Sequence, residues 1–191
     1  MNVFLKIFFI FFLFINNSEA KDSTMIMKLK DGEVIIELFD DIAPNHVKRF
    51  KQLSKEKKYD GVVFHRVIVG FMAQTGDIQY GNSSLETFDI EKAGTGGSEF
   101  PDLKAEFSEL PHERGTLSMA RSGNPDSANS QFFICFKSSP FLDRQYTVFG
   151  KVIKGMEFVD LIKKGSGSNG AVTNPDKIIS LSGTFAPTAA E

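Results

Sequence analysis

The chain has 191 residues, with 22 basic and 24 acidic side chains and a net charge of -2, which suits one domain around a single core. Charge so evenly balanced offers nothing to nucleic acid or to an anionic membrane surface. Its one cysteine, Cys135, excludes an intramolecular disulfide and, set just after Phe133, reads as a small buried thiol.

Residues 1–20 read as a secretory leader. Lys6 precedes the apolar run Ile7 to Ile15, Asn16 and Asn17 close it, and Ser18-Glu19-Ala20 offers small residues for cleavage. The run is well short of the ~20 residues that cross a bilayer. The folded domain is therefore expected over 21–191, with its core at about 25–185, and no stable membrane association after cleavage. The ending Thr188-Ala189-Ala190-Glu191 carries no retention address. A periplasmic location is the first expectation, with secretion or the lumen of the endoplasmic reticulum as alternatives. In a eukaryotic secretory route Asn82, in Asn82-Ser83-Ser84, would be a glycosylation candidate.

Strand-like runs follow at Met25 to Leu29 and Glu33 to Leu38, joined by the hairpin signal Asp31-Gly32. Others are Val62 to Val69, Leu117 to Ala120, Gln131 to Phe136, Val148 to Ile153 and Ile178 to Thr184. Helical spacing appears twice: Val47, Phe50 and Leu53 after Pro44, and Met156, Val159 and Ile162 before Gly165. The stretch Ile78 to Gly97 reads as a long surface loop. Many strands and two helices predict a mainly β sandwich or barrel.

Within Phe64-His65-Arg66-Val67-Ile68-Val69-Gly70-Phe71-Met72-Ala73-Gln74-Thr75-Gly76-Asp77, Arg66 stands among large hydrophobes with no adjacent carboxylate. A cation so placed points to a ligand. In Ser130-Gln131-Phe132-Phe133-Ile134, alternation puts Gln131 and Phe133 on one face and Phe132 and Ile134 on the other. Together the two segments suggest an apolar pocket with a few aimed polar groups. His65 alternates away from Arg66 and reads as a structural, hydrogen-bonded histidine near the site.

Other chemistries fit less well. His46, His65 and His112 with Ser118 or Ser130 lack a Gly-x-Ser-x-Gly elbow, and the histidines lack metal-ligand spacing. Gly94-Thr95-Gly96-Gly97 is followed by no Lys-Ser/Thr, so it reads as a tight loop and not as a phosphate cradle. No metal and no cofactor are expected.

These segments, with Gly115-Thr116-Leu117-Ser118-Met119-Ala120, Phe141-Leu142-Asp143 and Val148-Phe149-Gly150-Lys151-Val152, occur in the order of the cyclophilins. The chain resembles that family of peptidyl-prolyl cis/trans isomerases from about Met25 to about Phe185. The resemblance implies a closed eight-stranded antiparallel β-barrel capped by two α-helices, with its groove on the outer wall. It implies catalysis of X-Pro isomerisation by Arg66, with proline-containing polypeptides as substrates and a monomeric protein that accelerates folding of exported clients. Phe71, Met72, Phe133 and Leu142 would grip the proline ring. Gln74 would orient Arg66, the Arg121 backbone would clamp the preceding residue, and Ala120, Gln131, Phe141 and Tyr146 would complete the groove. The sequence departs from the best-known members at Phe141, where they carry tryptophan, and at Tyr146, where they carry histidine. A non-catalytic chaperone or proline-peptide binding module using the same groove is the alternative.

Overall fold

A computed structural model describes residues 23–183 of the chain. Eight strands, β1 (Thr24–Lys28), β2 (Glu33–Leu38), β3 (Arg66–Ile68), β4 (Met72–Thr75), β5 (Thr116–Met119), β6 (Phe132–Cys135), β7 (Val148–Lys154) and β8 (Ser180–Gly183), form one antiparallel sheet ordered β3-β4-β6-β5-β7-β2-β1-β8. The expected leader lies outside the described residues. Among the described residues no helix is long and apolar enough to cross a membrane.

The sheet curls but does not close as a ladder, which corrects the expected closed barrel. Between β3 and β8 runs an irregular segment, with isolated bridges pairing Val63 with Lys177 and Arg66 with Ala171. Val67 N–H donates to Gly170 O at 2.8 Å, and Phe64 N–H to Asp176 O at 2.8 Å. Gly167 and Gly170 sit at φ 67° and 71°, and Asn174 at 51° just before Pro175, which has no N–H. Such a segment cannot hold a continuous ladder.

Alternation along the strands divides the molecule. Val67, Ala73, Leu117, Met119, Phe132 and Ile134 point into the main core. Phe50, Tyr59, Phe132 and Phe149 meet there at ring-centroid distances of 5.1–6.2 Å. Phe50 arrives on α1 (Pro44–Lys55), whose Val47, Phe50 and Leu53 are buried as their spacing predicts. Ala43 ahead of the helix gives no side-chain cap. The Glu106 carboxylate serves instead, accepting the N–H groups of Asn45 and His46 at 3.2 Å and lying 2.7 Å from His46 Nδ1. A carboxylate there satisfies first-turn donors and complements the helix dipole.

The second helix, α2 (Met156–Asp160), is only five residues long. Its continuation is diverted because Lys163 N–H donates to the Asp176 carboxylate at 2.8 Å and Gly165 N–H to Val67 O at 2.9 Å. The Asp31-Gly32 turn forms as predicted, with Lys28 opposite Glu33. Of the run Val62 to Val69, only Arg66–Ile68 pairs as a strand. Strand β4 escaped the sequence reading, because the chain reverses at Gly70 (φ 67°) inside what looked like one apolar stretch.

Candidate active site

Register builds the site. Arg66 lies opposite Gln74, Gln74 opposite Phe133, and Phe133 opposite Ser118. Four strands thus contribute one row of side chains, on the face turned away from the main core. One step along, Ile68, Met72 and Cys135 form a parallel row. Met72, Phe133, Cys135 and Leu142 pack into a second, smaller apolar cluster flanked by Phe71, Ala120 and Tyr146.

Above that cluster opens a cleft of about 410 Å3, lined by Arg66, Phe71, Met72, Gln74, Ala120, Arg121, Phe133, Phe141, Leu142, Gln145 and Tyr146. Leu142 and Phe141 come from a single 3-10 turn, Pro140–Leu142, after β6. Phe141 leans on Phe71 at 5.3 Å, Tyr146 meets the Phe133 edge at 5.9 Å, and the Arg121 guanidinium lies 4.4 Å from the Tyr146 ring centroid. Across Gln74, Ala120 and Arg121 is a polar hollow of about 500 Å3, where Gln131 joins Gly94–Ser98, Asp102 and Asn129. The cleft therefore gathers the sequence-predicted residues except Gln131, which lies in the adjoining hollow. His65 lies beneath the hollow's rim at Gly94.

Arg66 is held from two sides. Its Nε donates to Asn169 O at 2.9 Å and one terminal nitrogen donates to Gln74 Oε1 at 3.1 Å. Gln74 in turn donates to Gln131 Oε1 at 3.0 Å, and Gln131 to Gly96 O at 2.8 Å. This relay fixes each amide and leaves the second terminal nitrogen of Arg66 without a partner among the described residues. No carboxylate pairs with the guanidinium there either. Burial pulls the Arg66 pKa below its ordinary value, against the nearby Tyr146, but an arginine remains charged.

Three residues depart from or add to expectation. His65 is buried near the site, yet neither ring nitrogen has a hydrogen bond of normal geometry, which corrects the hydrogen-bonded reading. Burial pushes its pKa down to about 4, despite Asp77 and a weak pull from the Val63 carbonyl. The ring packs under Gly94, where an added Cβ would stand 3.0 Å from it. Asn82 is 5% exposed, donates to Asp60 O and accepts from Ser84 N–H, a placement that closes it to a glycan in the folded chain. Asn169 was missed because it acts through its carbonyl, which leaves no mark in side-chain patterns.

Cys135 is fully buried, and burial pushes its thiol up to about 12, as suits a packing role. The Gly94–Gly97 turn flanks the groove, held by Asp77, which accepts the N–H groups of Gly94 and Gly96 at 2.7 and 2.9 Å.

The model of the family described as "Cyclophilin type peptidyl-prolyl cis-trans isomerase/CLD" matches residues 24–182. This chain is a cyclophilin-type peptidyl-prolyl cis-trans isomerase. A "Probable peptidyl-prolyl cis-trans isomerase" of Brucella suis biovar 1 is 62% identical over 159 residues, covering 83% of this cyclophilin and 81% of the Brucella protein. The peptidyl-prolyl cis-trans isomerase of Helicobacter pylori strain J99 is 40% identical over 160 residues, covering 82% and 90%. Among solved structures, the cyclophilin AquaCyp293 from Hirschia baltica superposes with a TM-score of 0.71 at 27% identity, covering 87% of this chain and 76% of that one. A cyclophilin-type isomerase of Cryptosporidium parvum, crystallised in the presence of the dipeptide Ala-Pro, gives 0.70 at 29% identity, covering 83% and 97%.

Proposed function

We propose that this cyclophilin isomerises X-Pro bonds of exported proteins in the periplasm, acting as a monomer, with Arg66 as its catalytic group. The observation that carries the reading is a guanidinium with one free N–H edge, unpaired by any carboxylate among the described residues, at the lip of a cleft floored by Met72, Phe133 and Leu142 and roomy enough for a prolyl residue and its neighbours. The Cryptosporidium relative's Ala-Pro dipeptide supports a proline-containing polypeptide as the occupant.

Rotation about the peptide C–N bond meets a barrier of ~18–20 kcal/mol, because the twist breaks resonance. In the twisted state the prolyl nitrogen regains a basic lone pair that the planar substrate lacks. A donor aimed at that nitrogen stabilises the transition state alone. Met72, Phe133 and Leu142 hold the ring, while Gln74 keeps the guanidinium plane oriented. No covalent intermediate, metal or cofactor enters these steps. A non-catalytic binder would gain little from an oriented, unpaired cation, so the enzyme reading takes precedence.

The test is Arg66→Ala, assayed by isomerisation of a short X-Pro peptide. Turnover is expected to fall by roughly one to two decades, since one charge-assisted hydrogen bond is worth about 1.5–3 kcal/mol and each ~1.4 kcal/mol is tenfold in rate, with thermal unfolding nearly unchanged because the Arg66 side chain is only part-buried. Arg66→Lys keeps the charge without the planar fork and restores only part of the loss. Near-full activity in Arg66→Ala would overturn the assignment. Export is tested separately, by mass spectrometry of the mature amino terminus, with a start near Lys21 expected.

A further inference from the structure

We propose that His112 is a positioning residue for the proline cleft, bracketing the 139–143 turn that carries Phe141 and Leu142 and backing the ring of Phe133. The proposal rests on the reading of that cleft as the substrate site.

The turn is held at both ends by one residue. On entry, Ser139 N–H donates to His112 O at 2.7 Å. On exit, Asp143 Oδ1 accepts the His112 backbone N–H at 2.8 Å and lies 2.9 Å from imidazole Nδ1. Between those ties the turn makes its own short bonds, Leu142 N–H to Ser139 O and Asp143 N–H to Pro140 O. The residues that follow close on it, Gln145 Nε2 donating to Phe141 O at 2.9 Å and the Gln145 and Tyr146 N–H groups to Leu142 O at 3.0 and 3.2 Å. The imidazole lies nearly parallel to Phe133, with centroids 6.2 Å apart and planes 17° apart. Its Nε2 is 3.0 Å from Ser118 Oγ, on the residue that faces Phe133 across the β5–β6 ladder.

Every bond of His112 therefore runs to an end of the turn that carries Phe141 and Leu142, or to Ser118, which faces Phe133 across the ladder. The other two buried histidines differ: His46 serves the start of α1 through Glu106, and His65 makes no side-chain hydrogen bond. With the Asp143 carboxylate facing Nδ1, the neutral ring carries its proton there, and Nε2 is left to accept the Ser118 hydroxyl. That hydroxyl also lies 3.0 Å from Thr147 O, so its one proton serves either partner. Burial keeps the imidazole pKa below its ordinary value against the pull of Asp143, and the neutral form stands at pH 7.

The physical consequence is preorganisation. Leu142 and Phe133 form two sides of the pocket, and the peptide would otherwise have to order the turn as it binds. Loss of the bracket thus weakens planar and twisted substrate alike, which appears in KM and not in kcat. Arg66 stands on the opposite side of the cleft and does not touch His112, so the rotation step itself keeps its donor.

The experiment measures kcat and KM separately on the full chain for Asp143→Ala, His112→Phe, the double variant and Arg66→Ala. The Asp143 side chain is 30% exposed, so its truncation leaves no sealed void, and His112→Phe keeps a plate behind Phe133. Asp143→Ala is expected to raise KM by about three- to tenfold, with kcat within about twofold, because the turn keeps its tie at Ser139 and loses only part of its order. His112→Phe shows a similar rise, and the double variant loses clearly less than the two single losses combined, because both cut the bond between Nδ1 and Asp143. Wild-type KM in Asp143→Ala, or additive losses in the double variant, would overturn the bracket. Should His112→Phe fail to fold, Asp143→Ala decides alone. If Arg66→Ala retains turnover, the reading of the cleft falls. If Arg66→Ala loses turnover while Asp143→Ala remains wild type, the bracket alone falls.

Discussion

At the scale of single residues, the groove's departures from the best-known cyclophilins have separable effects. Phe141 is 63% exposed and rests against Phe71 at the rim, so its ring contributes wall area but no hydrogen-bond donor. Phe141→Trp adds an indole N–H at the mouth of the cleft. Cyclosporin, the cyclic-peptide inhibitor that the resemblance to the cyclophilins implies for this groove, is expected to inhibit that variant at least several-fold more strongly than the parent, while peptide turnover changes little. Competitive inhibition assays on the two proteins check this, and equal inhibition would remove the missing indole as an explanation. The core of the site was readable from residue types, since an arginine without a carboxylate and the alternation through Phe133 both left marks. The orienting carbonyls of Asn169 and Gly96 left none. His112 was visible only as an unconvincing triad member, because its meaning depends on Asp143 and Ser118 arriving from distant parts of the chain.

At the scale of elements, legibility followed local patterning. Strand β2 begins and ends where its alternation does, and α1 starts at Pro44 as the Val47-Phe50-Leu53 spacing required. Strand β4 and the short α2 were set by tertiary competition: a reversal at Gly70 in one case, the Asp176 carboxylate capturing Lys163 N–H in the other. Helix α1 offers the sharpest test of such long-range support. Its start is satisfied by Glu106, some sixty residues away in sequence, so Glu106→Ala removes the acceptor for two backbone donors and for the buried His46 ring. The expected cost is about 1–2 kcal/mol, the usual worth of an N-cap, or a drop in Tm of very roughly 2–8 °C for a domain of this size. Calorimetric unfolding reads it, and turnover at low temperature should be nearly unaffected because α1 does not line the cleft. An unchanged Tm would mean that water replaces the carboxylate without loss.

At the scale of the whole molecule, the buried histidines make stability depend on pH. Burial lowers the pKa of His65, His46 and His112, and His65 reaches about 4 from an ordinary 6.5. Between those two values the unfolded chain binds a proton at position 65 that the folded chain refuses, so folding stability rises with pH through that window. The contribution is full above pH 6.5, declines as pH falls, and levels off below about 4, where both states are protonated. For His65 alone the span amounts to roughly 3 kcal/mol. At lower pH Asp143 adds a loss of the same sign, because the hydrogen bonds from the His112 backbone and ring hold its pKa down. His65→Gln, neutral at every pH, separates the residue from the rest. Its Tm at pH 7.5 should fall modestly because Gly94 packs against the ring, but the further decline between pH 6.5 and 4.5 should be visibly shallower than in the parent. Unfolding midpoints measured across that range decide the matter: parallel profiles for the two proteins would show that His65 takes up its proton without opening the fold.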